Sequence, residues 1–318
     1  MVVTSSAATL GATRTAVERS LRRRRSDLRG RLFSAGLMLT LLVALCVLVL
    51  LLVTTIDQAW PVLSERGSRF LNDDASSLAS RAGVRQGLVG SLVLTAFVAA
   101  VALPIGVAAA IYLQEYARDT RVNRMVIANI RNLAGVPSIV YGILGLVVFV
   151  QALRPVTGPS SYGRSYLSGG LTLAVLVMPI VILVTMEALR AVPGSIREAA
   201  YGVGATRWEV IRSHVLPYAT PGVFTGVILS LARAFGETAP LLLVGAVTGY
   251  LNAPGGQGPI GVLQGPYTSL PTLIFGWARQ PGEDWKANTA AAIVVLLVTI
   301  LVVNGLAIAL RNRFDRRW

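Results

Sequence analysis

Chemically reactive side chains are nearly missing from this chain. Its 318 residues include one cysteine, Cys46, one histidine, His214, and one lysine, Lys286. A lone cysteine excludes an intrachain disulfide and any zinc site built on thiolates, and a lone histidine leaves no second imidazole for a metal or a proton relay. No G-x-x-x-x-G-K-[ST] run occurs, and Lys286 sits in Glu283-Asp284-Trp285-Lys286 rather than in a glycine-rich turn, so no Walker-type nucleotide cradle is present. Charge is scarce as well, at 14% of residues against 54% hydrophobic ones. One imidazole and scattered carboxylates make no catalytic cluster, which argues against an enzyme and against a cofactor held by this chain.

What the chain has in abundance is long apolar runs. Residues 32–56, 87–113, 125–153, 169–189, 217–247 and 287–310 are each long enough to cross a hydrocarbon layer, so the expected fold is an all-α membrane protein with six transmembrane helices. The first run is too long for a secretory signal, and the basic segment before it, 1–31, is read as a retained tail rather than a transit peptide. Between the spans lie a polar loop at 57–86, a polar hairpin at 190–216 and a Gly/Pro-rich loop at 248–286, and a basic tail closes the chain at 311–318. Pro104, Pro137 and Pro179 fall inside runs and kink without breaking them when neighbours satisfy the freed carbonyls, while Gly142 and Gly145 admit a close helix neighbour. The net charge of +14 suggests nucleic acid only until its distribution is read. Nineteen arginines fall on the side of the two termini and the hairpin, against seven arginines and Lys286 on the other. Both termini and the hairpin are therefore expected to be cytoplasmic. Trp60, Trp277 and Trp285 fall on the opposite side as an aromatic belt would, and the apolar segment Leu270 to Ala278, too short to span, reads as a helix lying at the interface or a docking element.

Two places carry chemistry. In the hairpin, Ser195 with Glu198 has the spacing of a capping box, Gly202 and Gly204 permit a turn, and Thr206 can cap a second short helix. The result is a helix-turn-helix protruding from the membrane, with Trp208 as the expected anchor for a partner. In the fifth run, Arg233 and Glu237 are four residues apart and can pair on one helix face. Charges at that depth are retained where they meet water, substrate or one another, and a guanidinium suits a tetrahedral oxyanion; a structural ion pair is the alternative. Arg131, near the start of the third run, is a weaker candidate and reaches the cytoplasmic surface by extending its stem.

The spacing Glu198-Ala199-Ala200, three residues, Gly204, nine residues, two more, then Leu216-Pro217 resembles the EAA loop of ABC importer permeases. The run Ala232-Arg233-Ala234-Phe235-Gly236-Glu237-Thr238-Ala239-Pro240, with Gly135-Val136-Pro137-Ser138-Ile139-Val140-Tyr141-Gly142, resembles PstA-type phosphate permeases over about 87–310. His214 departs from the general loop pattern, where Ile is usual. The resemblance implies a type I ABC importer permease fold in a bacterial plasma membrane. It also implies phosphate import by alternating access, with Arg197, Glu198, Ala199, Ala200, Tyr201, Gly204 and Trp208 coupling to an ATPase and Arg233 and Glu237 on the substrate path. The partners it implies are a homologous second permease subunit, a dimer of ATP-binding subunits that hydrolyses the ATP, and an external phosphate-binding protein. A permease for sulfate or molybdate is the nearest alternative. A secondary transporter is a further one, for which no internal repeat with paired broken helices is visible.

Overall fold

The computed structural model describes residues 28–246 and 258–314, and all regular structure among them is helical. The Arg22–Arg25 run, the first part of the 248–286 loop and the last basic residues, Arg316 and Arg317, lie outside the described residues. The chain divides into two units at Thr54 and Thr55.

The first helix, α1 (Leu28–Asn72), begins in the first unit, where its apolar residues as far as Val53 are exposed, as is Cys46. Helix continues past residue 56, so most of the expected polar loop 57–86 is the end of α1 followed by a short 3-10 turn, Ala79–Arg81. Arg66 stitches that turn back to the helix by donating to the carbonyls of Ala79 and Ala82 at 3.0 and 2.8 Å.

In the second unit the organising element is α6 (Tyr166–Arg190), buried nearly all round because its sequence is apolar all round. Along it lies α2 (Arg85–Ile111), running in the same direction: Gly90 meets Tyr166, Phe97 meets Gly170 and Gly106 meets Val181 at successive depths. Leu94, Val98 and Ala102 close the seam against Leu173, Val177 and Val181. Past α2 comes a π-helical turn, Tyr112–Tyr116.

The third run is not one straight span. It consists of α3 (Arg121–Ala134) and α4 (Ser138–Gly145), the latter continued by a π-helical turn, Leu146–Ala152, with about 100° between the two arms. The bend has a local cause: Pro137 has no N–H to continue the ladder and biases Val136 away from helical geometry. Tyr141 fixes it by donating to the Leu133 carbonyl at 2.9 Å, which also accepts from the Val136 N–H at the end of α3. α3 is amphipathic, with Ile127 and Ile130 packed on Ile182 and Met186 of α6. Arg131 therefore sits on an exposed arm set across the span, and not inside a continuous third helix.

After the short α5 (Arg154–Thr157) and α6, the hairpin consists of α7 (Gly194–Gly202) and α8 (Arg207–Val210). α8 runs through a π-helical turn, Ile211–Val215, straight into α9 (Leu216–Gly236). The widened turn precedes Pro217, which cannot donate to the carbonyl four residues back. α9 packs antiparallel on α6, with Gly222 against Ala188 and Gly226 against Val184. The fifth run then breaks, and α10 (Ala239–Val244) follows, its proline at the second position.

α11 (Pro259–Gln264) and α12 (Leu270–Ala278) lead to α13 (Glu283–Phe314). α12 is packed into the core rather than laid along a free surface. Leu270, Leu273 and Trp277 are buried with Phe70 and Ala290 to Ala292, because α12 is wedged between α2 and α13. Trp277, read from sequence as a belt residue, is a core residue stacked near Phe70 and Trp285, at 6.1 and 5.7 Å between ring centres. Among the described residues, five helices are long and apolar enough to cross a membrane, and the bent pair counted as one span makes six, so this is a multi-pass membrane protein.

Candidate functional site

Helix α9 ends at Gly236 because the chain turns extended at Glu237 and Pro240 cannot bond back to Gly236. Arg233 and Glu237 sit at this break, with Arg233 Nε 3.3 Å from Glu237 Oε1. Their exposures differ: the Arg233 side chain is 48% exposed and that of Glu237 14%. The carboxylate is thus held in the protein while the guanidinium uses one N–H on it and presents the others outward. Arg233 lies about 25 Å from Leu216 along the helix axis at roughly 1.5 Å per residue.

What holds the break in place is the packing of two half-helices. α10 lies on α4, and the closest point is Gly142, where a Cβ would stand 2.7 Å from the Cα of Pro240. Gly145, one turn on, meets Thr172 of α6. Both glycines expected to admit a close neighbour therefore do so. Each half-helix also follows a proline-marked break, Pro137 for α4 and Pro240 for α10, so two interrupted spans meet beside the ion pair. Arg131 has no charged partner among the described residues' ion pairs and is exposed on α3.

At the other end of α9 the hairpin has its own small core of Leu189, Val192, Ala200, Val210 and Val215. Its first helix starts at Gly194 behind Pro193, and no side chain caps it, so the Ser195 and Glu198 capping box does not form. Thr206 does cap α8, in a reciprocal box with Glu209: Thr206 N–H donates to Glu209 Oε2 at 2.8 Å and Glu209 N–H to the Thr206 hydroxyl. The Thr206 hydroxyl also donates to Glu209 Oε2 at 2.8 Å, and the hydrogen bonds that the carboxylate accepts from the Thr206 N–H and hydroxyl hold it below its ordinary pKa. Between the helices, Gly204 adopts φ of 84°, a left-handed conformation that glycine reaches at no steric cost.

The seven hairpin residues singled out from sequence fall into two groups. Glu198, Ala199, Tyr201, Gly204 and Trp208 are exposed on the turn, together with Val203, which is 85% exposed and which sequence reasoning passed over as a turn residue. Ala200 and Arg197 face inward. Ala200 is buried in the hairpin core, so its small size serves packing within this chain. Arg197 reaches Glu115 in the π-helical turn that follows α2, with Nη2 to Oε1 at 2.7 Å and Nε to Oε2 at 3.4 Å, and also donates to the carbonyls of Leu189 and Val192.

Two more arginines grip the same segment. Arg190 Nε donates to Gln114 Oε1 at 3.0 Å, and Arg207 lies over the Tyr116 ring at 5.1 Å while donating to the Glu115 carbonyl. The Gln114-Glu115-Tyr116 segment is therefore clasped by the hairpin from both sides of its turn. From sequence it is only the start of a short charged turn; its one signal is an acidic residue in an otherwise arginine-rich side of the molecule. His214 lines a small cavity of about 240 Å³ with Ile196, Pro217 and Tyr218, and no group of metal-ligating residues occurs among the described residues.

Comparison with known proteins places this architecture. The chain is 34% identical over 235 residues to the phosphate transport system permease protein PstA of Mycobacterium leprae, covering 74% of this chain and 72% of that one. It is 32% identical over 235 residues to phosphate transport system permease protein PstA 1 of Mycobacterium tuberculosis strain CDC 1551, with the same coverage. Among solved structures, the bacterial alginate ABC transporter in complex with an alginate pentasaccharide-bound periplasmic protein contains a chain that superimposes with a TM-score of 0.65 at 14% identity, covering 93% of this chain and 99% of that one, so the fold is that of ABC importer permeases. Residues 102–318 match a single family model over most of the chain, and this protein belongs to the family of binding-protein-dependent transport system inner membrane components.

Proposed function

We propose that this chain is one of two homologous permease subunits of an ATP-driven phosphate importer in a bacterial plasma membrane. The observation that carries the reading is the broken fifth span, which presents the free edge of the Arg233 guanidinium while Glu237 anchors it. A guanidinium donates in a planar fork that matches the oxygens of a tetrahedral oxyanion, and Glu237 accepts a hydrogen bond from a protonated phosphate but has none to accept from sulfate. The names of the PstA relatives point to the same substrate.

Orientation follows from the arginine distribution, which puts both termini and the hairpin in the cytoplasm. There the exposed residues Glu198, Ala199, Tyr201, Gly204 and Trp208, with Val203, seat on a partner ATPase. Closure of the ATPase dimer moves the hairpin, and the clasp on Gln114-Glu115-Tyr116 carries that movement into α2 while α9 carries it directly to Arg233. This chain contributes no nucleotide site and no cofactor; ATP belongs to the partner, and an external phosphate-binding protein delivers the anion to the opposite face.

The test is uptake into proteoliposomes containing the chain with its second permease and ATPase, supplied with the loaded binding protein. Labelled phosphate is expected to accumulate with ATP and labelled sulfate to be excluded, and Trp208→Ala is expected to lower ATP-dependent uptake and ATPase co-purification together. Sulfate uptake at an equal rate would assign a broader oxyanion permease, and full uptake by Trp208→Ala would remove the hairpin from the coupling path.

A further inference from the structure

A second basic site stands at the opposite end of α10 from Arg233. A cavity of about 530 Å³ opens there, lined by Gln151, Arg154, Ser161, Tyr162 and Arg164 over an apolar wall that includes Val150, and no carboxylate lines it among the described residues. Two guanidiniums line the cavity and no carboxylate among the described residues does, so its potential is positive and favours an anion.

The groups are held in place before any ligand arrives. Tyr162 and Gly163 both adopt left-handed backbone, φ 55° and 77°, and for tyrosine that conformation persists only where its surroundings impose it. They do: Gly163 N–H donates to the Gly158 carbonyl at 2.7 Å, and Arg164 N–H to the Ser161 carbonyl at 2.9 Å. The Ser161 hydroxyl bonds to the Gln264 carbonyl at 2.8 Å, and Gln264 in turn donates to the Val156 carbonyl at 2.8 Å. Gly163 is pressed on the Val150 backbone so closely that no Cβ fits. In this turn the Tyr162 ring supports the Arg154 guanidinium at 4.5 Å. The stem of Arg164 lies across Gly245, where a Cβ would fall 2.5–3.0 Å from its carbons. Gly245 closes α10, so Arg164 and the Arg233–Glu237 pair stand at the two ends of one helix about 9 Å long.

We propose that this cavity is a relay site for a tetrahedral oxyanion of the phosphate class, which receives the anion on the outer side and passes it along α10 to Arg233. The two arginines supply the charged donors, and the Gln151 amide and the Tyr162 hydroxyl supply neutral ones, while the Ser161 hydroxyl is spent on the Gln264 carbonyl and braces the turn. Only the direction of travel rests on the importer reading; anion binding in the cavity does not.

The test uses the assembled complex with Cys46→Ser, which removes the native cysteine, and Gln151→Cys as a reporter. Labelling rates are measured with an anionic and a cationic methanethiosulfonate reagent of similar size, with and without inorganic phosphate and without ATP. The anionic reagent is expected to react about tenfold faster or more, the range of electrostatic focusing in a charged cleft. Millimolar phosphate is expected to slow it severalfold. Both effects are expected to vanish with Arg154→Gln plus Arg164→Gln, whose intact assembly is verified by gel filtration, and to survive Arg154→Lys plus Arg164→Lys in weaker form. Equal rates for the two reagents, no protection by phosphate, or protection that persists in the double glutamine variant overturns the proposal. Protection by the external binding protein but not by phosphate also overturns it and assigns a protein-docking face instead. If phosphate protects the reporter in a complex that transports none, the site stands and the import reading falls.

Discussion

Arg197 and Glu115 are 82 residues apart in sequence and form an ion pair at 2.7 Å, with side chains only 21% and 10% exposed. The pair joins the hairpin to the π-helical turn that follows α2. It is also asymmetric, since Arg197 has the carbonyls of Leu189 and Val192 as further acceptors, whereas among the described residues Arg197 is the one cation bonded to the Glu115 carboxylate.

That asymmetry sets an order of effects. Arg197→Gln leaves a carboxylate largely shielded and unpaired and is expected to cost about 3 kcal/mol of stability. Glu115→Gln is expected to cost less, because the guanidinium keeps two carbonyls. Thermal unfolding of the purified complex checks the order, and a larger loss for Glu115→Gln would contradict it.

At the broken span the expectation reverses, with a large functional and a small structural effect. Arg233→Ala removes one 3.3 Å contact that straddles the end of α9 and whose guanidinium is half exposed, and a pair open to solvent on one side is worth about 1 kcal/mol at most. Loss of a charge-assisted hydrogen bond to substrate amounts to about 1.5–3 kcal/mol, or roughly tenfold to a hundredfold in uptake. Phosphate uptake and the melting temperature, measured on the same preparation, separate the two.

On the hairpin surface, Trp208→Ala and Val203→Asp are each expected to weaken ATPase binding by about 2 kcal/mol, roughly 30-fold. Both side chains are exposed, Trp208 at 53%, so folding is expected to be unchanged. A titration of the ATPase subunit onto the immobilised permease pair reads the difference.

Gly142→Ala puts a methyl group against backbone at Pro240 rather than against a side chain that can swing away. Overpacking of this kind costs about 1–3 kcal/mol. The expected result is a lower melting temperature together with faster hydrogen exchange in α4 and α10, and unchanged exchange in α10 would show that the two half-helices are not in firm contact.

The Glu209 cap responds to acid. Its folded pKa is depressed, so its contribution is complete above the ordinary carboxylate range and is lost as pH falls through the lowered value. Hydrogen exchange of the Thr206 and Glu209 amides, corrected for intrinsic rates, is expected to accelerate at the acid end in the parent chain. In Glu209→Gln the cap is weaker throughout and that acid response disappears.

The spans and the hairpin were legible because they are local: apolar length, helical period and turn residues are written along the chain. Thr206 and Gly204 were readable for the same reason. The breaks were not, although prolines mark them. Pro104, Pro179 and Pro221 lie within continuous helices, while Pro137 and Pro240 stand at interruptions. A proline frees a backbone group in either case, and whether the helix bends or continues depends on what packs beside it. Ser195 shows the converse, a correct capping spacing overridden because Pro193 starts the helix earlier.

By itself, then, the order of residues determined that this chain crosses a membrane about six times, carries a polar helical hairpin and places one arginine and one glutamate deep in an apolar run. Only the tertiary structure decided that Arg197 and Ala200 turn inward, that Gln114 to Tyr116 is clasped by the hairpin, and that two interrupted helices meet beside Arg233. The physical reason is that helix formation depends on neighbours three or four residues away, whereas the direction a side chain faces is set by elements farther off along the chain, about ten residues for Ala200 and more than eighty for Arg197.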